Sequence, residues 1–279
     1  MSGSATNALF DTVEVRREII ACPTADITAL TGTTLTANSV PPAEAQTVDP
    51  SQKATIFEDF HGTWTATETL NADMWLSVGG SGAGTAVATT VANSVNGEVT
   101  IKSSTADGTN AANNSHIAAV GFAYKANQGG LVMEARLKID DIAEAYIFVG
   151  FTDLIATSES PITFTDGSDT PISDATEACG IVFTGDSTTQ EFHVGGVKAG
   201  TDTAANFSGS APVNDTYVTL RVEVSAAGAV TGYIDGTAVT AAANAVTITQ
   251  AVAPIIIVGN TAAAQTIMTL DYLWVQQDR

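Results

Sequence analysis

From Ile56 onward, apolar and polar residues alternate with a period of two along most of the chain. Leu131–Ile139 reads LVMEARLKI. Leu131, Met133, Ala135, Leu137 and Ile139 share one face, and Glu134, Arg136 and Lys138 share the other. That period predicts a half-buried strand, because successive side chains on a strand point to opposite faces. Tyr217–Val224 (YVTLRVEV) repeats the pattern, with Val218, Leu220, Val222 and Val224 inward and Thr219, Arg221 and Glu223 outward. Further strands are expected at 145–151, 179–184, 229–234, 255–258 and 267–275. Asn96-Gly97, Asp107-Gly108, Asp166-Gly167, Ala227-Gly228 and Asp235-Gly236 supply turns between them. No segment holds a 3.6-residue period over three turns. Many short strands separated by glycine turns predict an all-β fold, an antiparallel sandwich or jelly roll.

The first 52 residues follow a different rule. Ala21–Gln52 is rich in Ala, Thr, Pro and Ser and carries Pro41-Pro42 and Asp49-Pro50. Proline fixes φ and removes a donor, so neither a long helix nor a central strand can run through this stretch. Residues 1–52 are therefore expected to form an extended arm and residues 53–279 the sandwich. The apolar residues of the arm, among them Val13, Val15, Ile19 and Ile20, would dock on a surface; a disordered leader is the competing expectation.

Charge narrows the partners. The chain has 30 Asp and Glu against 10 Lys and Arg, a formal net charge of −20. So few cations argue against nucleic acid and against anionic membranes as partners. No apolar run reaches the ~20 residues that span a bilayer, and the opening residues have no basic, apolar leader pattern. Cys22 and Cys179 stand far apart, which fits two reduced thiols and a cytoplasmic origin rather than a disulfide scaffold or zinc site.

The cadence of the C-terminal half is similar to that of a known fold. YVTLRVEVSAAGAVTGYIDGTAV at 217–239, PIIIVG at 254–259 and LDYLWV at 270–275 resemble the concanavalin A-like, or laminin G-like, jelly roll. The resemblance implies a hairpin lying across one sheet and a closing strand that brings Trp274 into the core. The opening IFEDFHGTW at 56–64, with Trp75, resembles the start of such domains in tailed-bacteriophage virion proteins. That second resemblance implies a virion structural protein, often trimeric.

Motifs for chemistry are sparse. A laminarinase-type hydrolase on this fold would need Glu-x-Asp-x-x-Glu, which sends its carboxylates to one face of a strand. No Glu here has an Asp two positions later. GGSGAG at 79–84 is glycine-rich, but no lysine follows a glycine, so a Walker loop cannot be built. His61, His116 and His193 stand without a G-x-S-x-G elbow that would mark a nucleophile. Asp166, Asp169 and Asp174 share the loop FTDGSDTPISD, the kind of loop that can offer oxygens to a hard cation. The EF-hand spacing is absent, so a solvated acidic loop is the expectation, with no metal and no cofactor. Trp64, Trp75, Tyr124 and Tyr146 could stack on a sugar, but large aromatics in sandwiches usually fill the space between sheets.

These readings together predict a non-enzymatic capsid decoration, or cement, protein on the virion surface, made in a host cytoplasm. It would be a homo-oligomer bound to the major capsid protein. The arm residues Val13, Val15, Arg16, Arg17, Ile19 and Ile20 would make the contact. Two alternatives accompany it: a tail or head fibre module that binds host glycans, and a carbohydrate-active enzyme on the same fold.

Overall fold

A computed structural model describes residues 53–60, 75–78, 86–91, 97–104, 115–119, 123–155, 160–165, 167–203, 206–239 and 241–279. The arm residues Val13, Val15, Arg16, Arg17, Ile19 and Ile20, together with His61, Trp64 and Asp166, lie outside the described residues.

Apart from one 3-10 turn at Ala126–Gln128, the regular structure among the described residues is strand. In chain order the strands are β1 (Lys53–Glu58), β2 (Trp75–Val78), β3 (Ala86–Thr90), β4 (Val99–Lys102), β5 (Ser115–Ala119), β6 (Leu131–Ile139), β7 (Ala145–Thr152), β8 (Thr163–Phe164) and β9 (Pro171–Ile172). They continue as β10 (Ala178–Thr184), β11 (His193–Lys198), β12 (Thr201–Asp202), β13 (Asn206–Phe207), β14 (Val218–Val224), β15 (Val230–Ile234), β16 (Thr237–Ala238), β17 (Ala253–Asn260) and β18 (Ile267–Asp278). Two antiparallel sheets form. The first runs β16-β15-β14-β6-β18-β4-β3, and β1 also pairs with β18. The second runs β12-β11-β10-β7-β17-β5-β2, and β13 also pairs with β11. This is the antiparallel jelly-roll sandwich that the alternation predicts.

The core lies between the sheets. Met133, Ala135 and Leu137 of β6, Leu220 and Val222 of β14, and Leu273 and Val275 of β18 pack with Ile147, Val149 and Phe151 of β7, Ile181 and Phe183 of β10, and Ile256 and Val258 of β17. Leu137 is fully buried. Leu137→Ala is expected to cost about 3 kcal/mol, the transfer energy of the lost carbons plus the cavity left behind. In a domain of this size that lowers Tm by roughly 6–12 °C, which a thermal melt by circular dichroism would read.

Two local features set which side chains face outward. Asp235-Gly236 joins β15 to β16 as a two-residue loop, since Ile234 pairs with Thr237. Both loop residues have positive φ, 48° and 78°, the requirement of a primed hairpin turn. In β18 the register against β6 shifts between Leu270 and Tyr272, so Asp271 is the extra residue of a bulge. The first half of β18 pairs with β4 and the second half with β1. Leu270 faces the core before the bulge, and Leu273 and Val275 face it afterwards. The bulge therefore turns Tyr272 and Trp274 outward. The expectation that Trp274 enters the core is corrected: one unpaired residue inverts the alternation downstream of it.

The outer faces of the two sheets differ. On the second sheet, Tyr146, Phe148, Ala178, Val182, Ile255 and Ile257 pack under Ile162, Phe164 and Ala175 as a separate apolar cluster. The small β8–β9 hairpin carries Phe164 onto this face. The outer face of the first sheet carries the polar alternate positions of β6 and β14.

Candidate functional site

The register lines up five side chains in one row across five strands of the first sheet. Tyr233 of β15 pairs with Arg221 of β14, Arg221 with Glu134 of β6, Glu134 with Trp274 of β18, and Trp274 with Phe57 of β1. Neighbouring strands stand ~4.8 Å apart. The row is thus a track of aromatic rings interrupted by an arginine and a carboxylate.

Arg221 organises it. One guanidinium nitrogen lies 3.9 Å from Glu134 Oε2, and the other pairs with Glu223 Oε1. The guanidinium carbon sits 5.7 Å from the Tyr233 ring centroid and 5.8 Å from that of Trp274, within cation–π range. Arg221 Nε is buried and has no hydrogen-bond partner among the described residues. Tyr233 donates its hydroxyl to Glu223 Oε2 at 3.1 Å, and Tyr272 donates to Glu134 Oε1 at 2.8 Å. Phe57, 57% exposed, rests against Tyr272 with ring centroids 6.1 Å apart. Glu134, Thr219, Arg221, Glu223, Tyr233 and Gly236 line a cavity of about 230 Å³.

A second cluster adjoins the row. The Arg136 guanidinium and the Lys138 ammonium lie over the Tyr217 ring, at 4.1 and 4.7 Å from its centroid. Arg136 also pairs with the bulge residue Asp271, and Tyr217 donates to Glu98. Burial pushes the phenols of Tyr217, Tyr233 and Tyr272 above their ordinary value, and the carboxylates that accept their protons push them further. All three are therefore hydrogen-bond donors at physiological pH, each aimed at a carboxylate. Rings with polar edges beside carboxylates and a guanidinium suit a ligand with an apolar face and many hydroxyls.

The residues singled out from sequence go elsewhere. Tyr124 is buried in the core with its ring centroid 6.3 Å from that of Phe151. Tyr146 is buried under the hairpin and donates to the Ile162 carbonyl at 2.8 Å. Trp75 lies on β2 and His116 on β5. Of the three loop aspartates, Asp169 accepts from the Thr189 amide and hydroxyl at 2.9 and 2.8 Å, and Asp174 accepts from the Ser160 amide at 2.8 Å. Each ties one loop to another, and among the described residues no three acidic, His or Cys side chains gather as a metal cluster. Cys179 is a buried free thiol, pushed up to about 12 by burial and then by Glu177.

Tyr233 had a readable signal. Val230, Gly232 and Ile234 face inward, so alternation sends Tyr233 outward. Tyr272 and Trp274 had none, because the bulge has no sequence mark of its own.

No family model matches this chain, and no curated protein sequence matches it. Solved structures do match in fold. A prokaryotic β-1,3-1,4-glucanase (lichenase) derived from a mouse hindgut metagenome aligns with TM-score 0.50 and 10% identity, over 79% of this chain and 98% of its own. LamA from Z. galactanivorans, in complex with laminaritriose and laminaritetraose, aligns with TM-score 0.50 and 10% identity, over 80% and 98%. A protein of unknown function from Shewanella oneidensis MR-1 aligns with TM-score 0.50 and 15% identity, over 86% and 95%. At such identities the likeness is one of fold. It corrects the expectation of a non-enzymatic capsid decoration protein. The phrase read as a virion signature, IFEDFHGTW with Trp75, begins in β1, which pairs with the closing strand β18, and Trp75 opens β2; both strands belong to a sandwich whose fold the lichenase and LamA share. The chain has the concanavalin A-like jelly-roll sandwich that these structures share.

Proposed function

We propose that this chain is a carbohydrate-active enzyme whose polysaccharide substrate lies along the row Tyr233–Arg221–Glu134–Trp274–Phe57. The observation that carries the proposal is the row itself: rings of three aromatic residues on one sheet face, with Glu134 and Glu223 bridged by Arg221 between them. The lichenase and LamA relatives add support, since each is described through a glucan or its oligosaccharides. The rings take the apolar faces of sugar units. Because one guanidinium reaches both carboxylates, the two lie within the separation, up to about 9.5 Å, spanned by glycosidase carboxyl pairs. One then protonates the leaving oxygen, and the other attacks the sugar or activates water. The substrate is a neutral polymer, because a net charge of −20 repels an anionic one.

Affinity electrophoresis through gels containing single soluble polysaccharides, paired with reducing-end release, tests this. A neutral polysaccharide retards the protein, and Trp274→Ala weakens retardation roughly tenfold, the equivalent of about 1.4 kcal/mol of lost stacking. Glu134→Gln or Glu223→Gln lowers reducing-end release by at least about 10² while leaving retardation in place. Absence of retardation by every polysaccharide tried would sink the reading.

A further inference from the structure

The second sheet holds a buried histidine that no part of the proposed site uses. His193, on β11, is 1% exposed. It pairs with Val182 of β10 on one side and Phe207 of β13 on the other, which places its ring on the outer face. There it is clamped between two rings. Its centroid lies 4.3 Å from that of Phe164, on the β8–β9 hairpin, and 4.0 Å from that of Phe207. Nε2 lies 3.2 Å from the Thr189 carbonyl oxygen and meets it as a donor. Nδ1 is buried and has no hydrogen-bond partner among the described residues. An imidazole with one donor used and one bare acceptor among apolar rings is suited to the neutral form only.

The hairpin that carries Phe164 depends on few polar ties. Asp169 accepts from the Thr189 amide and hydroxyl, the Gly167 amide donates to the Asp186 carbonyl, and Thr188 donates to the Gly167 carbonyl at 2.9 Å. These ties converge on the 186–189 loop, which also supplies the acceptor for His193. The hydroxyl of Tyr146 on β7 also donates to the Ile162 carbonyl at 2.8 Å, and the remaining anchorage is the apolar contact of Ile162, Phe164 and Ala175 with Tyr146, Phe148 and Val182.

We infer that the β8–β9 hairpin is an acid-released cover, held closed over the outer face of the second sheet by neutral His193. A second proton on the ring would put an N–H with no acceptor and a full charge between Phe164 and Phe207. The ring then leaves its slot for water, and Phe164 leaves with it, uncovering Tyr146, Phe148 and Val182. The charged groups facing the imidazole are Asp169, from the hairpin, and Glu191, just before β11. Both favour the imidazolium, but burial outweighs them, and the folded group sits below its ordinary value. The sign follows. The cover's stability is fully present above the ordinary histidine value near 6.5 and is lost as pH falls from there toward the folded value. This inference is independent of where the polysaccharide binds.

Hydrogen exchange by mass spectrometry on the full chain, between pH 7.5 and 5 and corrected for intrinsic rates, tests it. Exchange in 160–177 rises by up to about tenfold per pH unit below 6.5, the slope for one proton, while β6, β7 and β18 stay protected. His193→Gln, which cannot charge, flattens that dependence. Phe164→Ala, a second variant, solvates the ring, brings its folded value toward the ordinary one and so shrinks the pH-dependent rise, and an imidazole titration by NMR would record the raised value. A pH-independent hairpin, a rise that persists in His193→Gln, or equal loss of protection across both sheets would overturn the inference.

Discussion

Gly180→Val is expected to leave no folded protein at 25 °C. Gly180 of β10 and Gly150 of β7 are cross-strand partners at the middle of the second sheet. A Cβ on Gly180 would stand 2.9 Å from Gly150 Cα, and one on Gly150 would stand 2.7 Å from Gly180 Cα. The obstacles include the Val149 and Cys179 carbonyls as well, so the clash is with backbone. Backbone can yield only if β7 and β10 part, and their inward residues Val149, Phe151, Ile181 and Phe183 form the core. The loss should exceed about 4 kcal/mol, the range reserved for changes with a specific steric cause. Gly195 is the control. It pairs with Gly180 from the other side, yet a Cβ there meets nothing within 4 Å. Gly195→Ala should melt within a few degrees of the unmodified chain. A cooperative melt of Gly180→Val near that of the unmodified chain would show that the strands are not so closely apposed.

Deleting Asp271 is expected to destroy the aromatic row and most of the stability together. Without the bulge, β18 would continue the alternation set by Leu270. Tyr272 and Trp274 would turn into the core, and Leu273 and Val275 would turn to the outer face. Two rings would then occupy space packed for two aliphatic side chains, with the Tyr272 hydroxyl cut off from Glu134. Overpacking and an orphaned polar group each cost roughly 1–3 kcal/mol. The Arg136–Asp271 pair would also be lost. Asp271→Ala separates the two effects, because it keeps the extra residue and removes only the carboxylate. Tryptophan fluorescence and thermal melts would show a near-native Asp271→Ala and a severely weakened deletion. Equal effects from the two variants would mean that the charge pair, and not the alternation, governs this edge of the site.

The corrected functional expectation has a physical origin. The absence of Glu-x-Asp-x-x-Glu reads as absence of chemistry only if both carboxylates must come from one strand. Glu134 and Glu223 stand on neighbouring strands, 89 residues apart in sequence by their numbers. Antiparallel pairing brings them to one guanidinium. No spacing rule along the chain reports a constellation assembled across strands.

Local order was legible in the residues. The two-residue period of LVMEARLKI and YVTLRVEV defines β6 and β14 and their inward faces, and Asp235-Gly236 defines the turn after β15, because both are consequences of backbone geometry over a few residues. Side-chain neighbourhood was not legible. The row from Tyr233 to Phe57 exists because five strands drawn from four parts of the chain align in one register. Tyr272 and Trp274 join that face because a single unpaired residue, Asp271, reverses the pleat beyond it. Alternation is a property of each strand, whereas register and bulges follow from the packing of all the strands at once, so the sandwich follows from the pattern and the site follows only from the fold.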